Sequence, residues 1–357
     1  MKRLLTILGA RPQIIKAAAI SRVIRNRFNH EIEEVILHTG QHYDANMSSV
    51  FFRELNIPQP QYNLNVGSGS HAEQTGQMMM GIERVLQSNQ FDGVLVYGDT
   101  NSTLAAALAA SKLQVPIYHV EAGLRSFNSS MPEEINRIVC DRLSSLLFAP
   151  TQTAVTNLER EGLKGILTGD VMYDNALFFS PKADQESDII ERLGLTPKQF
   201  VLATIHRPAN TDNETNLRAI FNALQTIAQS GTQVVVPMHP RTKKATAHLM
   251  TTLSGLRIIE PVSFYEMIRL EKNALVVLTD SGGVQKEAFF YGTPTVILRP
   301  ETEWVEIVEA GAGIIADADY NRIMTAYSSL AGTKVHFPPL FGDGNAAQYI
   351  IEQIVNQ

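Results

Sequence analysis

Residues 93–125 read Gly93-Val94-Leu95-Val96-Tyr97-Gly98-Asp99-Thr100-Asn101-Ser102-Thr103-Leu104-Ala105-Ala106-Ala107-Leu108-Ala109-Ala110-Ser111-Lys112, then Leu113-Gln114-Val115-Pro116-Ile117-Tyr118-His119-Val120-Glu121-Ala122-Gly123-Leu124-Arg125. A short, unbroken apolar run, a turn, a helical stretch and a second apolar run make a strand–helix–strand unit. Apolar runs that do not alternate belong to strands covered on both faces, which means a parallel sheet between helices. In such sheets ligands sit beyond the carboxyl ends of the strands, so chemistry is sought at Gly98–Thr100 and Glu121–Arg125.

The rhythm extends in both directions. Strands are expected at Leu4–Leu8, Glu34–His38 and Leu146–Ala149, with helices over Pro12–Arg27, Glu73–Gln87 and Glu133–Ser144. It resumes with strands at Val201–Ile205, Gln233–Pro237, Arg257–Ile259, Leu275–Thr279 and Thr295–Leu298. Between the halves it slackens around Phe178-Phe179-Ser180-Pro181-Lys182, and 357 residues are too many for one ordinary core. The expected organisation is two Rossmann-like, doubly wound α/β domains, 1–178 and 179–345. A last helix in 346–357 can pack back on the first domain.

Composition narrows the partners. A net charge of −6, with Lys and Arg scattered, argues against a nucleic-acid or acidic-membrane surface. The opening Met1-Lys2-Arg3-Leu4-Leu5-Thr6-Ile7-Leu8-Gly9 is too brief for a signal peptide and reads as a buried strand. No stretch approaches the roughly 20 apolar residues that span a bilayer. Cys140, the only cysteine, excludes an intrachain disulfide, reads as a buried thiol, and leaves the reducing cytoplasm as the default location. No metal site is expected, because there is no H-E-x-x-H and no Cys/His cluster, and Asp317-Ala318-Asp319 reads as a helix cap.

The candidate chemistry lies after the strands. Gly9-Ala10-Arg11-Pro12-Gln13-Ile14-Ile15-Lys16 has neither a dinucleotide fingerprint nor a Walker lysine. It does place Arg11 and Lys16 at a helix N-terminus, where either can hold phosphate or carboxylate. Asp99 suits a helix cap, but Glu121 ends the next strand beside Arg125, and Pro132-Glu133-Glu134 adds two more acids. The second half offers His206-Arg207, His239-Pro240-Arg241 and Asp280-Ser281-Gly282-Gly283-Val284-Gln285-Lys286-Glu287. A Ser-Gly-Gly turn opening a helix exposes N–H groups to an anion, a good diphosphate cradle, and Glu287 one turn later suits ribose hydroxyls. Trp304 fits either the pocket lining or the core.

Taken together these strings resemble the non-hydrolysing UDP-N-acetylglucosamine 2-epimerase family along essentially the whole chain. The motifs are G-x-R-P at Gly9–Pro12, G-D-T at Gly98–Thr100, H-x-E-A-G-L-R at His119–Arg125, P-E-E-x-N-R at Pro132–Arg137, D-S-G-G-x-Q at Asp280–Gln285 and G-D-G at Gly342–Gly344. The resemblance implies a GT-B-like fold with an interdomain cleft, a homodimer, a UDP-sugar substrate and no cofactor. It puts catalytic roles on Asp99, Glu121, Glu133 and His206, and UDP or sugar contacts on Arg11, Lys16, Arg125, His239, Ser281, Gly282, Gly283 and Glu287. Gln41 corresponds to an activator contact of some bacterial members.

Three motifs depart from the common pattern: Gln13 replaces Glu in R-P-E, Pro208-Ala209-Asn210 replaces x-E-N, and Trp304-Val305 replaces Arg-Pro in T-E-R-P-E. With Thr39–Met47, these look more like the branch acting on UDP-2,3-diacetamido-2,3-dideoxy-glucuronate, and UDP-GlcNAc stays open as the other substrate. The family's reaction inverts C2 by expelling UDP, through a 2-acetamidoglucal. A hydrolysing epimerase, a GT-B glycosyltransferase and a nucleotide-sugar sensor are the rival readings.

Overall fold

The structure is a computed structural model describing residues 1–41, 52, 55–238, 242–243, 246 and 255–357. The chain divides into two compact units, residues 1–175 with 339–357, and residues 176–338.

The first unit is built on β1 (Lys2–Leu8), α1 (Arg11–Arg27), β2 (Ile32–His38), β3 (Tyr62–Asn63), α2 (His71–Ser88), β4 (Gly93–Tyr97) and α3 (Asn101–Lys112). It continues through β5 (Ile117–Val120), α4 (Pro132–Leu143), β6 (Leu146–Ala149), α5 (Gln152–Arg160) and β7 (Gly165–Leu167). The strands form one sheet in the order β3-β2-β1-β4-β5-β6-β7, and every pairing is parallel. In β1, Leu4, Leu5, Ile7 and Leu8 are all fully buried, as a strand covered on both faces requires. Helix α3 sits close to the sheet because Ala105, Ala106, Ala107, Ala109 and Ala110 present only methyl groups.

The second unit follows α6 (Val171–Glu186), within which the division falls. Its elements are α7 (Ile189–Arg192), β8 (Phe200–Thr204), α8 (Pro208–Thr211), α9 (Glu214–Gln229), β9 (Gln233–Pro237), β10 (Leu256–Ile259) and α10 (Phe264–Asn273). Then come β11 (Val276–Thr279), α11 (Gly282–Phe290), β12 (Thr295–Ile297), α12 (Val305–Glu309), β13 (Gly313–Ile315) and α13 (Tyr320–Ala331). The sheet order is β10-β9-β8-β11-β12-β13, again parallel throughout. Among the described residues its core joins Val201, Ala203, Val236, Val276 and Leu278 to Phe221 and Leu224 of α9.

The last helix, α14 (Ala346–Val355), belongs to the first unit. Asp174 accepts the N–H groups of Ala346 (3.1 Å) and Ala347 (2.8 Å), two of the donors a helix start leaves unpaired. The boundaries expected at 178 and 345 differ from this division. Residues 339–345 belong with the first unit because the carbonyl of Phe341 accepts from Asp170 N–H (2.9 Å) and Gly342 lies against Gly169. A Cβ on Gly169 would stand 2.8 Å from the Phe341 oxygen, so the close crossing depends on glycine. Among the described residues, no helix is long and apolar enough to cross a membrane.

Candidate functional site

In the first unit the two strand-end acids lie on adjacent strands, since β4 and β5 pair with Tyr97 opposite Val120. Asp99 does not cap the following helix. Thr100 does, with its side chain accepting from Thr103 N–H, and the Asp99 carboxylate pairs instead with Arg137. Asn136 fixes the same loop by donating to the Asp99 carbonyl at 2.9 Å.

Glu121 is 8% exposed and pairs with Lys16, whose ammonium reaches over from α1. Gly98 makes room for that pair: a Cβ there would lie 3.2 Å from Lys16 Nζ and 3.6 Å from Glu121 Oε2. Glu121 has φ +71, a left-handed backbone that a glutamate adopts only where its surroundings impose it. Such strained residues cluster at sites of chemistry.

Of the paired glutamates, Glu134 is buried, and its carboxylate accepts from the N–H groups of Ser126 (2.9 Å) and Phe127 (3.1 Å). Glu133 is half-buried at the start of α4 and makes none of these bonds. The pair thus separates as a helix opening on Pro-Glu-Glu allows, with Glu134 turned into the loop before the helix.

Arg125 departs from the expected sugar contact. It is 5% exposed and donates to the Leu124 carbonyl (2.7 Å), to Glu161 (2.7 and 2.9 Å) and pairs with Asp141 at 2.7 Å. Its planar fork is spent inside the unit. Gln41 is likewise turned inward, its Oε1 accepting from Ser102 N–H (3.0 Å) and Oγ (2.7 Å).

Arg11 occupies the first, exposed position of α1. The turn that carries it is held by Gln13, the residue that stands in place of Glu in R-P-E. Its Oε1 accepts from Gly9 N–H (2.9 Å) and Ala10 N–H (3.1 Å), and its Nε2 donates to the Tyr97 carbonyl and to Thr103 Oγ1, both 3.0 Å. One buried amide therefore ties the phosphate-type turn after β1 to the acid-bearing turn after β4.

In the second unit the anchor is Asp280, fully buried. Its carboxylate accepts from the N–H groups of His206 (3.1 Å) and Arg207 (3.0 Å) and from Asn210 Nδ2 (3.1 Å), and its Oδ1 lies 3.5 Å from His206 Nδ1. The His206 side chain remains 44% exposed. Ser281 caps α11, accepting from Val284 N–H, and Gly282 and Gly283 supply the first N–H groups of that helix. Glu303 stands over this turn: a Cβ on Gly282 would lie 2.3 Å from its Oε1. Glu287 is half-buried in the same helix. Trp304 is 3% exposed and packs under Lys286 Nζ, 4.1 Å from the ring centroid. Cys140 is buried, and Asp319 caps α13. His239 lies outside the described residues.

Sequence reading passed over Arg137, Asp141, Glu161 and Asp280 as partners. Asp141 had a signal, a carboxylate within the apolar stretch of α4. Glu161 had none, since only the fold brings it to Arg125.

The family model described as UDP-N-acetylglucosamine 2-epimerase matches residues 25–355. The chain is 48% identical, over 99% of each, to a UDP-2,3-diacetamido-2,3-dideoxy-D-glucuronate 2-epimerase of Pseudomonas aeruginosa. It is 47% identical, over 99% of each, to a UDP-N-acetylglucosamine 2-epimerase homolog of Methanococcus maripaludis. Among solved structures, the UDP-GlcNAc 2-epimerase of Methanocaldococcus jannaschii in complex with UDP-GlcNAc and UDP is 41% identical, with a TM-score of 0.91 over 99% of this chain and 100% of that one. With its two Rossmann-like sheets of GT-B type, the chain belongs to the UDP-N-acetylglucosamine 2-epimerase family.

Proposed function

We propose that the protein is a non-hydrolysing 2-epimerase of UDP-2,3-diacetamido-2,3-dideoxy-glucuronate. The observation that carries this reading is the pairing of strand-end acids with cations in the first unit, Asp99 with Arg137 and Glu121 with Lys16. Carboxylates at adjacent strand ends, one on a strained backbone, suit proton transfer at a sugar carbon. The 48% identity to the Pseudomonas aeruginosa enzyme supports this choice of substrate.

The chemistry follows from what C2 lacks. No carbonyl neighbours it, so a carbanion there has no resonance to spread its charge. Removal of the C2 hydrogen becomes feasible when the C1–oxygen bond breaks at the same time, with its electron pair leaving on the diphosphate. The product is a 2-acetamidoglucal with a C1–C2 double bond. A proton then adds to C2 from the other face and the diphosphate oxygen re-forms the bond to C1, giving the manno epimer. Asp99, Glu121 and Glu133 take the proton-transfer and cation-stabilising roles. His206 and the Ser281–Gly283 turn, helped by Arg11, take the departing diphosphate, and Glu287 takes the ribose. Lys16 pairs with Glu121, and Arg125 acts only from beneath. Keeping water from the glucal prevents its hydration before UDP adds back.

The test is kinetic. Asp99→Asn and Glu121→Gln should each lower epimerisation by at least about 100-fold, the scale of a lost acid or base, while UDP binds as before. Wild-type rates in both variants would remove the proposal. Parallel assays with UDP-GlcNAc identify the substrate, because the faster sugar names the branch.

A further inference from the structure

Beneath the acids lies a buried ionic cluster that the reaction does not itself use. His119, fully buried on β5, has Nδ1 2.8 Å from Asp141 Oδ1 and Nε2 2.8 Å from the Gly98 carbonyl oxygen. Asp141 Oδ2 accepts from Gly123 N–H at 3.2 Å and pairs with Arg125 at 2.7 Å, and Arg125 in turn donates to Glu161.

A carbonyl oxygen only accepts. So does a carboxylate already taking bonds from a backbone N–H and a guanidinium. Both ring nitrogens of His119 must therefore carry a proton, because a neutral ring would aim a lone pair at an acceptor in a site closed to water. Burial opposes the charge, but the Cys140 sulfur and the Asp141 carboxylate on α4 favour it and raise His119 to about 10. Burial likewise opposes ionisation of Asp141, and His119 and Arg125 still hold its carboxyl below the usual range.

The two ends of this cluster grip the two loops that bear the acids. Gly98, held through its carbonyl, precedes Asp99. Gly123, held through its N–H, follows Glu121 by two residues. Glu121 has φ +71, a left-handed backbone that a glutamate keeps only where its surroundings hold it.

We propose that His119 is a doubly protonated positioning residue, which with Asp141 holds the loops of Asp99 and Glu121 in catalytic register. It acts through those loops and touches no substrate. A loop displaced by about 1 Å typically costs about 100-fold in rate.

The inference rests on the epimerase reading only for its kinetic arm, and its second arm stands alone. In nitrogen-edited NMR of the wild-type protein, His119 should show two protected ring N–H signals with no titration from pH 6 to 9. In Asp141→Asn the ring should lose its charge and one of those signals. His119→Asn should lower kcat about 100-fold, with KM and the Kd for UDP within threefold of wild type. A single ring N–H in the wild type, or a titration midpoint inside that range, overturns the proposal. So does a wild-type kcat in His119→Asn, or a parallel loss of kcat, KM and UDP affinity. Should His119→Asn fail to fold, the wild-type spectrum still decides. A wild-type enzyme inert toward every UDP-sugar defeats the epimerase reading and leaves the spectral result to judge the cluster.

Discussion

Replacing Gln13 by leucine isolates the amide that joins the turn after β1 to the turn after β4. Leucine nearly matches the glutamine in volume but carries no polar atom. The Gly9 and Ala10 N–H groups would lose the acceptor at 2.9 and 3.1 Å. The Tyr97 carbonyl would keep Thr103 Oγ1, which donates to it at 2.7 Å. Two buried N–H groups are therefore left unsatisfied, at about 1–3 kcal/mol each. Burying the extra apolar surface returns about 1–2 kcal/mol, so the turn loses about 3 kcal/mol. At about 1.4 kcal/mol per factor of ten, amide exchange through local opening should quicken about 150-fold. Hydrogen exchange read by mass spectrometry on peptides covering residues 4–14 measures it directly, with peptides from residues 200–237 as the internal reference. Activity should fall as well, since Arg11 and Asp99 depend on the turns that Gln13 joins. Unchanged protection over residues 4–14 would show that the four hydrogen bonds do not hold the turn.

Four other outcomes follow from the geometry. Lys16→Met removes the cation that pairs with Glu121 and should lower kcat about 100-fold by letting the acid shift, read from initial rates at fixed pH. His38 is buried, its Nδ1 accepts from Gly40 N–H at 3.1 Å, and burial lowers its pKa to about 4. A histidine that resists protonation when folded loses stability as pH falls from the unfolded value of about 6.5 through 4. The wild type should thus lose about 3 kcal/mol over that window beyond what His38→Asn loses in parallel urea titrations. Gly169→Ala, at φ +81 with the Phe341 oxygen 2.8 Å from the new carbon, should destabilise the first unit by about 2–4 kcal/mol, measured by thermal melting. Asp280→Ala strips three donors of their acceptor and should lower kcat about 100-fold by releasing His206, with circular dichroism as the check on folding.

The fold was legible where strands are long. Gly93–Tyr97, Ile117–Val120 and Leu146–Ala149 stand in the structure as their apolar runs predicted. Tyr62–Asn63, Gly165–Leu167 and Gly313–Ile315 were not foreseen, because strands of two or three residues hold no period to detect. All three sit at sheet edges, where pairing alone defines them. Among the site residues, local logic located the acids and the Ser-Gly-Gly turn, since strand ends and helix starts are sequence features. It failed where a role is set by distant partners. Thr100, not Asp99, took the cap. Arg125 found Glu161, 36 residues on, and turned inward. Gln13 looked like the loss of an acid until its amide was seen to donate to Tyr97, which an ionised glutamate cannot do.

The central claim, that UDP leaves C1 as the C2 proton is taken, is tested most directly by proton NMR of UDP-2,3-diacetamido-2,3-dideoxy-glucuronate incubated with the enzyme in deuterium oxide. The account predicts a C2 resonance that disappears as gluco and manno forms equilibrate, deuterium appearing at C2 of both, with no acceptor present and no net release of free sugar. Epimerisation that retained the original hydrogen at C2, or an unchanged spectrum with both this sugar and UDP-GlcNAc, would contradict it.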